Sequence, residues 1–459
     1  MDDAATLEQP LTRGVFSGAF RLSTIGILIV VTLVAFEAMA VTTAMPTAAR
    51  ELHGLAQYAW AFSGFIVANI VGITGAGVLS GHRGPKPSLL LGLAAFLAGL
   101  LLAGTAATMA QLIAGRLVQG LGAGTLVTVL YVVIGETYPE TMRPKIFALM
   151  SSAWVLPGLA GPPLSGLITE HIGWRWVFLG LAPLVVAGAM LLVPQLRSMS
   201  AARRDGAART DGQLVRAVVV AIGIALLLRA GQRPSPAWVL PVILAVAGIA
   251  WALTELLPPG TFRISHGVPA TVAMRGLMAG GLFGADAFIP LVMTVQHGWT
   301  PAVAGLPLVG SALAWSLGSF WQGRDAMEGR RPMLVRAGFG CLSAGLAAAA
   351  LASIPEFPGW IMYLAWVMAG TGAGLAMSSI SVLMLAQTTD AHRARDSAAT
   401  QLSDSVVTAF TTGYGGVLLA AAVHGALSFT AAFVILDLSM IVLSLTGFIA
   451  ASRVCHILR

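Results

Sequence analysis

Apolar runs of about 20 residues, each long enough to cross a bilayer as a helix, recur fourteen times along this chain of 459 residues. They fall at 22–46, 58–80, 87–107, 109–137, 144–170, 176–194, 213–230, 237–257, 268–295, 301–322, 332–353, 359–386, 396–424 and 427–451, separated by short Gly-, Pro- and Arg-rich turns. In lipid only helices and closed barrels satisfy every backbone N–H and C=O, and the ten-residue alternation of a barrel strand is not found here. The expected fold class is therefore an all-α polytopic membrane protein. Composition agrees: 57% of residues are hydrophobic and 10% charged, where a soluble domain carries about 25% charged residues. Fifty-three glycines suit helices that approach one another closely in a membrane.

The net charge of +7 is explained by where the basic residues lie. With the N-terminus inside, nearly all of the 26 lysines and arginines fall in inner loops or at inner helix ends, and Arg275 just inside the ninth run belongs with them. Only Arg50, Arg175, Arg229 and Arg233 fall on the outer side. This is the positive-inside pattern. It puts both termini in the cytoplasm and removes any need for a nucleic-acid partner. The polar stretch Met1 to Arg21 lacks the basic start and small-residue cleavage site of a signal peptide, so the first helix is expected to be retained. Cys341 and Cys455 are far apart and predict no disulfide framework. The eight histidines are scattered over loops and helix ends, not grouped as metal ligands would be.

Two acids inside apolar runs hold corresponding places. Glu37 lies in the first and Asp286 in the ninth, and a carboxylate at such depth costs roughly 2.5–3.5 kcal/mol on insertion scales. They are separated by 249 positions. The glycine run Gly120-Leu121-Gly122-Ala123-Gly124 recurs 250 positions later as Gly370-Thr371-Gly372-Ala373-Gly374. Parallel six-helix repeats with a site between them at mid-membrane are one large transporter architecture. The expected organisation is a six-helix bundle at 1–194, a cytoplasmic linker with two additional helices at 195–262, and a second six-helix bundle at 263–459. A third acid, Asp404, lies one turn from Gln401 and Thr408, facing the same interior.

Several local patterns then converge. After the second run comes Gly77-Val78-Leu79-Ser80-Gly81-His82-Arg83-Gly84-Pro85-Lys86. In the fourth run, Arg116, Gln119 and Gly120 share one helix face. The fifth holds Pro157-Gly158-Leu159-Ala160-Gly161-Pro162-Pro163-Leu164-Ser165-Gly166, followed by Gly173-Trp174-Arg175-Trp176-Val177-Phe178. Ala44-Met45-Pro46 closes the first run. In this order the patterns resemble the major facilitator superfamily, in particular its fourteen-helix drug:proton antiporter branch. Three departures stand out: Gly81 occupies the place of the family aspartate, Pro157 that of an earlier glycine, and Ser165 that of the first of the last two glycines. The resemblance implies that the family aspartate latches one closed state; the second-half counterpart of the loop holds Arg324-Asp325 and Gly329-Arg330-Arg331, where Asp325 and Arg330 could carry that latch.

The resemblance implies two pseudo-symmetric six-helix bundles plus two extra helices between them, in a bacterial cytoplasmic membrane. It assigns proton coupling to Glu37, with Asp286, Arg116 and Asp404 as further members, and export to the Pro157–Gly166 stretch. Trp60, Asn69, Gln119, Tyr131, Trp154, Phe283, Trp315, Phe410 and Tyr414 are candidates for a cavity that takes amphipathic or cationic small molecules, through apolar burial and cation–π attraction. The expected partners are such a substrate, protons and membrane lipids, in a monomer whose only energy source is the proton gradient, with no cofactor. Enzyme chemistry is disfavoured: H-E-x-x-H, G-x-S-x-G and G-x-x-x-x-G-K-[ST] are all missing. An exporter of a lipid or endogenous metabolite, and a proton-coupled importer or uniporter of the same fold, remain open alternatives.

Overall fold

The computed structural model describes residues 15–18, 20–192, 211–389 and 392–453. Among them the chain forms α1 (Arg21–Glu51), α2 (Trp60–Arg83), α3 (Pro85–Gly104), α4 (Met109–Thr137), α5 (Arg143–Ser152), α6 (Val155–His171), α7 (Arg175–Leu179) and α8 (Ala182–Leu192). After the polar stretch from Gln195, which lies outside the described residues as far as position 210, come α9 (Asp211–Gln232) and α10 (Val239–Leu256). The remainder is α11 (Val268–Asp286), α12 (Ile289–Gln296), α13 (Pro301–Gln322), α14 (Arg331–Ala352), α15 (Ile361–Gln387), α16 (Arg393–Val423) and α17 (Phe429–Ala450). Together they give fourteen stretches long and apolar enough to span a membrane, and no strand among the described residues.

Three of the apolar runs are broken helices. The fifth splits into α5 and α6 around Ala153–Trp154, the sixth into α7 and α8 around Gly180–Leu181, and the ninth into α11 and α12 around Ala287–Phe288. Each break sits two to four residues before a proline, Pro157, Pro183 and Pro290. Proline has no N–H to donate to the carbonyl four residues back and its ring crowds that carbonyl. The break in the ninth run leaves Asp286 as the last residue of α11, at a helix end where a side chain can turn toward a cavity.

The recurring glycines do the same job in both halves. A Cβ on Gly120 would strike the backbone of Phe65, and one on Gly370 the backbone of Ser311. Gly122 and Gly372 abut Phe96 and Gly338, while Gly124 and Gly374 abut Asn69 and Trp315. Thus α4 is clamped between α2 and α3, and α15 between α13 and α14. Such backbone-to-backbone approach is how membrane helices gain packing energy without a hydrophobic driving force.

The two additional helices do more than fill space. α9 packs against α10, but also against α2 and α16, covering the seam where these two helices meet. Trp60 Nε1 donates to Gln232 Oε1 at 2.7 Å, and Leu228 fills the gap left by Gly413. Apolar residues of α2, α9, α10 and α16 form a cluster separate from the main core. The symmetry-related seam, α6 against α13, makes direct contact. Gly370→Val is expected to lower stability by about 1–3 kcal/mol, the usual cost of overpacking, read as a fall in the thermal unfolding midpoint in detergent. Gly135→Ala, with no atom within 4 Å of the new Cβ, leaves it unchanged.

Candidate functional site

Glu37 sits at mid-length in α1 with no exposed surface. Its Oε1 accepts a charge-assisted hydrogen bond from Arg116 Nη1 on α4 and a longer one, 3.4 Å, from Gln119 Nε2. Arg116 is itself buried, donates through Nε to Ala61 O at 2.8 Å and through Nη1 to Gln119 Oε1 at 3.2 Å, and lies over the Phe65 ring at 4.3 Å. A guanidinium in an apolar interior needs that many partners, because unpaired charge there is prohibitively costly. Glu37 Oε2 is buried and has no hydrogen-bond partner among the described residues.

The second half repeats the geometry with different chemistry. Asp286 Oδ1 accepts from Trp366 Nε1 at 2.7 Å. Trp366 lies 250 positions after Arg116, as Asp286 lies 249 after Glu37, so an indole stands where the first half has a guanidinium. Asp404 on α16 is paired with Arg275 on α11, Nε to Oδ2 at 2.8 Å and Nε to Oδ1 at 3.1 Å. Arg275 also donates to Met377 O at 3.1 Å and Ser381 Oγ at 3.0 Å. Assigning Arg275 to the inner-loop charges is therefore corrected: it is well inside its helix and neutralises a cavity acid.

Between the halves lies a cavity of about 480 Å³. Asn69, Trp154, Phe283, Asp286, Asp404 and Arg116 line it, as do Gln401 and Thr408. Phe62, Phe65, Met39 and Thr42 line it too; nothing in the sequence separated them from ordinary packing residues. Other candidates are placed elsewhere. Gln119 is buried in the ion-pair network behind the wall. Trp60 and Phe410 pack into the cluster under the additional helices, and Tyr414 reaches Ser439 at 3.2 Å. Trp315 stacks obliquely on Phe283, ring centroids 6.0 Å apart, as backing for the wall. Tyr131, stacked on Phe147, lines a neighbouring vestibule of about 730 Å³. That vestibule shares Ile73, Val127, Gln401 and Ser405 with the cavity.

The vestibule is walled by Gly77, Val78, Arg395 and Ser397, with Gln213 and Glu255 from the additional helices. It opens toward the side where α1 begins. At the opposite side the halves touch: Tyr58 Oη donates to Ala287 O at 2.7 Å, and Ala302 N donates to Glu170 Oε1 at 2.7 Å. The proline–glycine stretch of α6 belongs to that closure. Gly166 meets the backbone of Ala302, and Pro162 with Thr43 meets Gly305. Gly161 meets Met39, and Ser165 Oγ donates to Ala40 O at 2.6 Å. Pro157 marks the break in front of α6.

On the same side Trp174 is buried. It donates to Glu51 Oε2 at 2.7 Å, beside Arg175 to Glu51 Oε1 at 2.5 Å. In the loop after α2, Gly84 adopts φ 78° and turns the chain into Pro85, Arg83 and Lys86 are exposed, and no atom lies within 4 Å of a Cβ on Gly77 or Gly81. In the second half, Arg331 Nη1 donates to Gln322 Oε1 at 3.0 Å, and Arg330 is exposed. The side chain of Asp325 lies outside the described residues.

Removing one partner of a buried pair strands the other charge, at roughly 3–5 kcal/mol. Arg116→Leu is therefore expected to lower the thermal midpoint sharply, and Arg116→Leu with Glu37→Gln to recover part of the loss. Equal loss in the single and double variants would contradict the pairing.

The family model described as Major Facilitator Superfamily matches residues 27–289, more than half of the chain. A probable multidrug-efflux transporter of Mycobacterium tuberculosis is 27% identical over 434 residues, covering 90% of this chain and 90% of its own. Multidrug resistance protein 3 of Bacillus subtilis is 28% identical over 314 residues, 65% of this chain and 60% of that protein. Among solved structures, a POT family transporter in complex with 5-aminolevulinic acid aligns with TM-score 0.67 at 14% identity, covering 94% of this chain and 96% of its own. A D-xylose-proton symporter aligns with TM-score 0.63 at 15% identity over 94% and 96%. These two likenesses concern the fold alone. Fourteen membrane-length helices, a cavity between two similarly built halves and the family match agree: the chain belongs to the Major Facilitator Superfamily and is a multi-pass membrane transporter, not an enzyme.

Proposed function

We propose that the protein is a proton-coupled antiporter that exports amphipathic or cationic small molecules from a bacterial cytoplasm by alternating access. The observation that carries this reading is a wholly buried acid, Glu37, whose ion-pair partner Arg116 forms part of the cavity wall. The relatives' description as multidrug-efflux proteins supports export. The positive-inside distribution of arginines supports a vestibule that faces the cytoplasm and a conformation ready to load substrate from within.

A proton arriving on Glu37 would settle on Oε2, since Oε1 is held by Arg116 and Gln119. Neutralising Glu37 weakens its hold on the guanidinium and frees it to find other partners at the cavity wall. Loss of that ion pair changes the relative energy of the inward-open and outward-open states, which is all that a coupling ion must do. In the outward-open state the halves, 21–192 and 268–450, rock about the central site, the α6–α13 contact opens and the vestibule closes. Substrate leaves outward, a proton enters from outside, and its release inward resets the cycle.

Reconstituted protein should release protons from an acid-loaded lumen when an amphipathic cation such as ethidium is added. Glu37→Gln should abolish that release in vesicles matched to wild type for the amount of inserted, folded protein. Undiminished proton movement in the variant would refute the assignment of coupling to Glu37.

A further inference from the structure

Three acids bear on the cavity or its wall, and they differ in how their charge is met. Glu37 is neutralised by Arg116, and Asp404 by Arg275. Asp286 forms no ion pair with any described Arg, Lys or His; its hydrogen-bond partner is the indole N–H of Trp366. Indole donates one hydrogen bond and carries no charge, so it orients the carboxylate without cancelling it. Trp366 is fully buried, which fixes its ring and therefore the direction in which Asp286 faces. The two ion pairs sum to zero, leaving Asp286 as the cavity-wall acid without a cationic partner among the described residues. Beside it stand the aromatic faces of Phe62, Phe65, Phe283 and Trp154.

Resting on the efflux reading, we infer that Asp286 is the subsite that recognises the positive charge of organic cations. Trp366 is its positioning residue, and the exchange of guanidinium for indole between the two halves is what makes this protein select cations. The first half keeps acid and base together as a switch; the second keeps the acid and drops the base. An aromatic-walled cavity with one free carboxylate holds a delocalised cation by burial, cation–π attraction and direct charge. Asp286 then acts in substrate recognition, which is a different task from the proton switch at Glu37.

The test is equilibrium dialysis of the purified full-length protein with tetraphenylphosphonium and with triphenylphosphine oxide, an uncharged relative with one phenyl ring fewer. Wild type should prefer the cation. Asp286→Asn should weaken tetraphenylphosphonium by about tenfold, equivalent to roughly 1.4 kcal/mol, with a smaller change for the neutral probe. Trp366→Arg, which rebuilds the first-half pair, should erase the preference, and Trp366→Phe, which keeps the ring but loses the donor, should reduce it in part. Equal weakening of both probes by Asp286→Asn, or a cation-selective loss on Asp404→Asn instead, would overturn the assignment. If wild type bound both probes equally well, the subsite would fall and the efflux reading would stand. If it bound neither, both would fall.

Discussion

The arrangement depends on one interaction: a carboxylate and a guanidinium held together inside the first bundle. Glu37 comes from α1, Arg116 and Gln119 from α4, and the carbonyl and ring that complete the guanidinium shell from Ala61 and Phe65 on α2. Three helices are tied at one point. A buried pair of this kind contributes little net stability, because desolvation offsets the attraction. Apolar residues would pack the same volume at lower cost. In the proposed mechanism what the pair adds is sensitivity: one proton would change the balance among three helices that wall the cavity.

The rest of the fold positions that sensitivity. Glycines repeated at about 250-residue spacing bring α4 onto α2 and α3, and α15 onto α13 and α14, so the two halves have similar rigid cores. Contacts between halves are concentrated on one side of the membrane, through Tyr58, Glu170 and the small residues of α6 and α13. Beside the Tyr58–Phe288 ring pair, the contacts named are polar or small-residue in kind, suited to separating and re-forming. The additional helices cover the α2–α16 seam and supply part of the vestibule wall, in addition to the direct contact that this seam has in common with the α6–α13 seam. The molecule is thus asymmetric in its walls and in its charges, although its halves are built alike.

Much of this was legible in the sequence, for physical reasons. Lipid imposes long apolar helices, so fourteen runs became fourteen membrane-length stretches, and acids in such runs marked the interior. The three helix breaks left weaker signals: Pro157, Pro183 and Pro290 were visible, but the apolar run continues through each. Aromatic residues misled because a membrane helix is apolar on every face. Nothing in the pattern around Trp60, Phe410 or Tyr414 distinguishes a cavity wall from a face covered by another helix. Arg275 looked like a loop charge since it lies near a helix start; only the approach of α16 reveals Asp404 as its partner. Trp366 carried no local signal, yet the repeat offset that linked Glu37 to Asp286 also links Arg116 to it.

The central claim is that protonation of Glu37 decides which side is open. It is tested most directly by spin labels placed across the vestibule, at Val78 on α2 and Ala398 on α16, with the distance between them measured in acidic and in alkaline buffer. In an otherwise wild-type protein the distance distribution should shift with pH between a wide and a narrow population. With Glu37→Gln added, it should stay in one population at both. A shift that persists unchanged in the Glu37→Gln protein would place the switch on another group and contradict the account.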